Sequence, residues 1–240
     1  LSIEDMIVEE DMVVTVSHGG YIKRNAVSLY RAQRRGGKGK TGMRPKEEDF
    51  VERLFIASTH SYILVFTDLG RVYWLKVHEI PQGGRAARGK AIVNLLNLQS
   101  DEKVMTVLPV KEFVEGKYII TVTSRGTVKK TELMAYANPR QGGIIALTID
   151  EGDRLIAARL TDGDMDILLA SSNGKSIRFP ETDVRPTGRT TRGVRGMMLE
   201  GDDQLIGMEV VTDSTAATLV SVTVNGYGKR TQLDEYRVQS

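Results

Sequence analysis

The sequence predicts an all-β protein built from repeated units of about 50 residues, each holding roughly four short strands and one basic loop. Three observations carry that expectation. A β-branched run, a glycine-containing tight turn and a second run recur five times. An apolar, strand-like segment recurs behind an acidic pair or cluster. A basic, glycine-containing loop recurs ahead of a further apolar run.

The first element occupies residues 13–24, 63–72, 119–130, 167–178 and 219–230. Its aligned glycines are Gly20, Gly70, Gly126, Gly174 and Gly226, stepping by 50, 56, 48 and 52. Glycine supplies the positive φ that a tight hairpin turn requires, and Asn173-Gly174 and Asn225-Gly226 carry the strongest short-range hairpin signal. The second element contains Leu54, Val104, Leu155 and Leu205, spaced by 50, 51 and 50. The third appears as Arg35-Gly36-Gly37-Lys38-Gly39, Arg88-Gly89-Lys90, Arg140-Gln141-Gly142-Gly143 and Arg192-Gly193-Val194-Arg195-Gly196. Such a unit cannot bury both faces of its sheet alone, so blades must pack side by side, as in a propeller, with equivalent loops on one rim. Four units are nearly whole, and half of a fifth ends at Ser240.

Bulk properties narrow the function classes. With 240 residues the chain can build a large core. It has no cysteine, so disulfides and thiolate metal sites are excluded. No apolar run reaches the ~18 residues that span a membrane, and the first residues lack the basic head and apolar stretch of a signal peptide. The chain does not start with Met, and the expectation is one excised domain over residues 1–240, incomplete at its C-terminal end.

The net charge is only +2, but the charge is segregated. Residues 31–46 hold seven Lys or Arg and no acid. Arg85, Arg88 and Lys90 form a second acid-free cluster, and Arg185, Arg189, Arg192 and Arg195 a third. Acids gather elsewhere, as in Glu47-Glu48-Asp49 and Asp101-Glu102. Phosphate is felt over about one Debye length, so local clusters matter more than the sum. Aromatic residues make up only 6%, which argues against a base-stacking platform for single strands.

The sharpest segment is Gln33-Arg34-Arg35-Gly36-Gly37-Lys38-Gly39. Two guanidinium forks can each hold a phosphate, and the glycines let backbone amides approach it. This heptapeptide resembles the signature box of the C-terminal domain of the DNA gyrase A protein. Glu4-Asp5-Met6, Lys46-Glu47-Glu48-Asp49-Phe50, Ile92-Val93-Asn94-Leu95-Leu96 and Asn225-Gly226-Tyr227-Gly228-Lys229-Arg230-Thr231 extend the resemblance over essentially the whole chain. The resemblance implies a six-bladed β-pinwheel, a propeller-like ring whose blades exchange strands, which wraps duplex DNA around its outer rim. It implies that Gln33, Arg34, Arg35, Gly36, Gly37, Lys38 and Gly39 close the wrap and set its chirality. The repeat adds rim residues: Arg31, Lys40, Arg44, Arg85, Arg88, Lys90, Lys129, Lys130, Arg140, Arg189, Arg192, Arg195, Lys229 and Arg230. The partners implied are double-stranded DNA, the rest of gyrase A, and gyrase B, joined in an A2B2 holoenzyme in a cytoplasmic, nucleoid-associated setting. No cofactor is expected in this domain, since ATP and Mg2+ are used elsewhere in the holoenzyme resembled.

Other motifs yield to simpler explanations. Gly37-Lys38-Gly39-Lys40-Thr41-Gly42 fits G-x-G-x-x-G without a βαβ unit around it. Gly39-Lys40-Thr41 resembles the end of a P-loop, but Arg34 stands where its first glycine belongs. Asp162-Gly163-Asp164-Met165-Asp166 lacks the glycine and glutamate of a calcium loop, at Ile167 and Asn173. His18, His60 and His78 show no ligand spacing, and Tyr30 reads as structural. No catalytic residue or metal ligand is expected. Three alternatives remain: the equivalent domain of topoisomerase IV, whose box is degraded or absent; a propeller-type protein-interaction module; and an enzyme acting alone, for which no convergent acid, base or nucleophile is present.

Overall fold

The structure, a computed structural model, describes residues 2–30, 49–212, 218–223 and 225–239. Among the described residues, regular structure is β-strand with short 3-10 turns and no α-helix. All five predicted hairpins form. They are β1 (Asp11–Ser17) with β2 (Tyr21–Ala26), β4 (Tyr62–Thr67) with β5 (Arg71–Lys76), β8 (Tyr118–Thr123) with β9 (Thr127–Glu132), β12 (Asp166–Ser171) with β13 (Ser176–Pro180), and β16 (Thr218–Val222) with β17 (Gly228–Gln232). Their turn glycines all have positive φ: +82° at Gly20, +76° at Gly70, +90° at Gly126, +80° at Gly174 and +81° at Gly226.

The strands predicted behind the acidic clusters are β3 (Val51–Ser58), β7 (Val104–Val110), β11 (Leu155–Thr161) and β15 (Leu205–Val211). Each pairs antiparallel with the first strand of the preceding hairpin. A register shift recurs near one end of the pairing, between Val16 and Ser17, Phe66 and Thr67, and Ala170 and Ser171. Bulges of this kind bend a strand and increase its twist.

The third predicted element departs from expectation. In the three examples that fall within the described residues only two residues enter a sheet, as β6 (Lys90–Ala91), β10 (Ile144–Ile145) and β14 (Val194–Arg195). The apolar run after β6 is a 3-10 turn over Ile92–Asn94, which buries Ile92 and Leu96 and leaves Val93 exposed. The 3-10 turn ends the strand after two residues and carries Ile92 and Leu96 to the core.

The sheets run β3–β1–β2–β6, β10–β5–β4–β7, β11–β8–β9–β14, β13–β12–β15 and β16–β17. The chain leaves the first sheet after β3, builds β4 and β5 into the second, and returns as β6 against β2 at Tyr21 and Ile22. It does the same again when β14 returns to β9. Neighbouring repeats therefore exchange strands.

The chain divides into two compact units. The first holds residues 1–67, 71–113 and 138–144; the second holds 68–70, 114–137 and 145–240. In the first unit Met12, Val14, Val16, Ile63, Val65, Tyr73 and Leu75 from two hairpins form the core with Ile80, Ile92 and Val107. In the second, Ile120, Val122 and Val128 pack with Ile167, Leu169, Phe179 and Met208. Six of the seven residues of β1 are buried, on both faces, Thr15 and Ser17 among them.

Candidate nucleic-acid interface

The basic residues separate into two populations. One sits on the second strand of the first, third and fourth hairpins and is buried. Counting from the turn glycine, the third residue is Lys23 in the first hairpin and Lys129 in the third, 0% and 1% exposed. A lysine can lie there because its aliphatic stem packs on the sheet while the ammonium finds carbonyls above it. Lys23 Nζ donates to Gly84 O at 3.0 Å and to Arg85 O. Lys129 Nζ donates to Ala146 O at 2.8 Å and to Arg189 O. Burial lowers the pKa of Lys23; burial, with the Arg189 charge as a lesser cause, pushes Lys129 down to about 8.

The fourth residue after the glycine is Arg24, Lys130 or Arg178, and each holds the 3-10 turn that follows the next hairpin. Arg24 donates to Ile80 O at 2.7 Å and His78 O at 3.3 Å. Arg178 donates to Leu233 O at 2.9 Å and pairs with Asp166 at 2.7 Å. Lys130 reaches Glu181 O at 3.3 Å and its carboxylate at 3.1 Å, with both side chains almost wholly buried. Lys129 and Lys130 are thus corrected. Expected on a DNA rim because they are basic and follow a turn, they are enclosed and engaged inside the protein. Lys229 and Arg230 occupy the same two positions on β17 and are exposed.

The second population sits on the loops. In residues 81–90, Lys90 is exposed while Arg85 and Arg88 are half-buried. The Arg88 guanidinium lies 3.8 Å over the Tyr21 ring. In residues 138–144, Arg140 is exposed, and Arg71 holds the loop by donating to Gly142 O at 2.7 Å. In residues 184–196, Arg185, Arg192 and Arg195 are exposed. Arg189 is half-buried and donates to Ile145 O at 3.1 Å. Arg192 approaches Asp150 at 3.3 Å with both side chains mostly in solvent, a pair worth at most about 1 kcal/mol and easily exchanged for a phosphate.

The loop glycines that the sequence singled out have a steric purpose. Gly89 and Gly193 adopt φ of +85° and +90°. A Cβ on Gly89 would sit 2.4 Å from Ile22 O, and one on Gly193 2.5 Å from Val128 O. Each loop therefore lies directly on the hairpin beneath it.

The heptapeptide Gln33–Gly39, with Arg31, Lys40 and Arg44, lies outside the described residues. The chain re-enters at Asp49, whose carboxylate accepts from Ser17 Oγ and Gly19 N, both at 2.7 Å, and from Phe50 N at 2.9 Å. Burial opposes its ionisation, but these hydrogen bonds and nearby His18 outweigh it and hold the Asp49 pKa below its usual value. Asp153 binds Ser124 Oγ, Arg125 N and Arg154 N at 2.8–3.0 Å, and Asp203 binds Ser172 Oγ, Asn173 N and Gln204 N at the same distances. These clamps were missed as such in the sequence. Their signal was an aspartate two residues ahead of β11 and β15, spaced by 50.

Among the described residues there is no group of three or more His, Cys, Asp or Glu that could hold a metal ion. The calcium-like Asp162-Gly163-Asp164 is the connection from β11 to β12, with Asp164 N donating to Asp162 Oδ1 at 3.1 Å. Among the described residues no helix is long and apolar enough to cross a membrane.

Comparison with known proteins places these features in a family. The family model described as "DNA gyrase C-terminal domain, beta-propeller" matches residues 11–58, 61–111, 117–162, 166–212 and 217–240, one match per repeat. The DNA gyrase A protein of Salmonella typhimurium is 49% identical over 240 residues, all of this chain and 27% of that protein. The chain thus spans about a quarter of the curated relative. The crystal structure of the C-terminal domain of DNA topoisomerase IV superposes with a TM-score of 0.81 at 28% identity, covering 98% of this chain and 71% of that one. The DNA gyrase A C-terminal domain structure gives a TM-score of 0.72 at 27% identity, covering 92% and 71%.

Proposed function

The chain belongs to the DNA gyrase C-terminal domain family, and on that premise we propose that it binds double-stranded DNA along its basic loops and wraps it chirally, so that the DNA gyrase holoenzyme introduces negative supercoils. The partners in that reading are duplex DNA, the rest of gyrase A, and gyrase B, in an A2B2 assembly. The domain supplies no chemistry of its own and uses neither ATP nor Mg2+.

The observation that carries the reading is the recurrence of exposed basic side chains on loops fixed to the sheet beneath. Arg140, Arg192, Arg195 and Lys90 are exposed on such loops. Phosphate contacts of this kind position a duplex and release counterions, so affinity falls steeply with salt. Bending 20–30 bp by 40–90° costs about 1–6 kcal/mol, which repeated contacts along an arc can offset. The heptapeptide Gln33–Gly39 carries the chirality in this reading.

The likeness to the topoisomerase IV domain supports a second reading, duplex binding without a chiral wrap. One experiment separates the two. Nicked plasmid is ligated with this chain bound, the protein is removed, and the linking-number shift is measured, with Arg34, Arg35 and Lys38 changed to Ala in parallel. A positive shift that shrinks in the variant supports wrapping through the heptapeptide. Binding without any shift supports the second reading and overturns the first.

A further inference from the structure

The two buried lysines sit beneath two different basic loops in two different compact units, and each is built the same way. Both are the third residue after a hairpin glycine. Both reach carbonyls about 60 residues further along the chain, in the loop that follows the next hairpin. In both cases a positive-φ glycine, Gly89 or Gly193, lets the loop lie on the strand that carries the lysine. An irregular loop has no ladder of amides to satisfy its carbonyls, and an ammonium offers three donors at once.

The direction of those carbonyls has a consequence on the other side of the loop. All peptide bonds described are trans, and in a trans peptide the C=O of one residue and the N–H of the next point in opposite directions. Lys23 takes Arg85 O and, together with the Ala87 amide, Gly84 O, so the amides of Arg85 and Ala86 turn away from the lysine. Lys129 draws Arg189 O inward, so the Thr190 amide turns outward. Ala86 and Thr190 are exposed, and among the described residues none of the three amides has a backbone or side-chain acceptor. They stand in the same loops as the guanidinium groups of Arg85, Arg88, Arg189 and Arg192. Neighbouring outward amides beside a fixed cation are a favourable seat for one anionic oxygen cluster.

We propose that Lys23 and Lys129 are positioning residues for phosphate contact: each turns the backbone of its basic loop so that the amides of Arg85 and Ala86, or of Thr190, form a phosphate seat with the arginines of that loop. The lysines never touch the phosphate. They act by fixing which side of the loop presents N–H groups. The phosphate of a DNA backbone is the expected occupant on the reading proposed above, and inorganic phosphate shares its chemistry.

The test uses the whole 240-residue chain, with backbone amides followed by 15N–1H NMR during titration with inorganic phosphate and, separately, with a 30-bp duplex. The expected result is a shift of the Arg85, Ala86 and Thr190 amides with both ligands. In Lys129→Met the Thr190 response should vanish while Arg85 and Ala86 still respond, and duplex affinity should fall by about tenfold, the effect of losing a charge-assisted contact. Lys129→Arg, which keeps donors beneath the loop, should restore most of the affinity. Combining Lys129→Met with Arg192→Ala should cost less than the sum of the two, because both act through one loop. Should Lys129→Met fail to fold, Lys23→Met carries the same test with the loops reversed. A response to phosphate without duplex binding would sink the DNA reading and leave the seat standing. Amides that respond to neither ligand, or a folded Lys129→Met that retains the Thr190 shift and full affinity, would overturn the proposal.

Discussion

Replacing Gly193 by alanine probes how closely the basic loop is laid on its hairpin. Two penalties add. At φ +90° an L-residue costs about 1–2 kcal/mol relative to glycine. The new methyl would also stand 2.5 Å from Val128 O and 2.9 Å from Lys129 Cβ, both part of a strand that cannot yield easily. Forcing an extra methyl into such a contact costs about 1–3 kcal/mol. The expected loss is therefore about 2–5 kcal/mol. Gly174 supplies the control, with φ +80° and nothing within 4 Å of its Cβ position, so Gly174→Ala should lose only the conformational part, about 1–2 kcal/mol. Both glycines belong to the second compact unit, so one unfolding transition reports on both. Urea titration followed by circular dichroism measures the difference as a shift of midpoint at constant slope. If the loop lifts to relieve the contact, the missing stability cost should reappear as weaker duplex binding. Equal midpoints for the two variants, with duplex affinity intact in both, would refute the close-packed loop.

Other perturbations test the buried charges. Lys130→Met alone should cost about 3–5 kcal/mol by urea titration, because it strands the wholly buried Glu181 carboxylate, and adding Glu181→Leu should recover part of that loss. Lys175→Ala, which breaks a pair with Glu200 whose side chains are 47% and 78% exposed, should change stability by less than about 1 kcal/mol in the same assay. For Lys129 the folded pKa of about 8 lies below the ordinary 10.5, so its unfolded form binds the extra proton between those values. Stability should therefore rise with pH across that window, by at most about 3 kcal/mol, since the carbonyls of Ala146 and Arg189 favour the ammonium. Subtracting the pH profile of Lys129→Met isolates this contribution, and identical slopes for the two proteins would contradict it.

What the sequence made legible was local. A turn that needs positive φ must carry glycine, so Gly20, Gly70, Gly126, Gly174 and Gly226 mark the hairpins on their own. The strands β3, β7, β11 and β15 were legible because a repeat period exposes them even where the alternation is weak. What stayed hidden depended on partners far along the chain. Nothing near Lys129 announces that Arg189 will close over it 60 residues later. A lysine beside a turn is ordinarily solvated, and the exception is visible only once β14 returns to β9. The same long-range return makes β6 and β14 two residues long, too short for any pattern to mark. The heptapeptide Gln33–Gly39 is the reverse case, fully legible as a motif and outside the described residues.

On the proposed reading, the division of the basic residues also accounts for how a chain of net charge +2 would suit a polyanion. Counting charges treats Lys23, Lys129, Lys130 and Arg178 as available, yet their charges are engaged by interior carbonyls and by Asp166 and Glu181. The aspartates are committed in parallel. Asp49, Asp153 and Asp203 each accept hydrogen bonds from a serine hydroxyl and from amides at a hairpin turn. The first and third hairpins thus each commit a basic pair, and the fourth commits Arg178, to fixing geometry inside the protein, while Lys90, Arg140 and Arg195 stay exposed on their loops. On such a surface the potential felt by a phosphate is set within a Debye length by the loop it meets, so affinity follows the number of loops engaged and net charge is a poor guide to it.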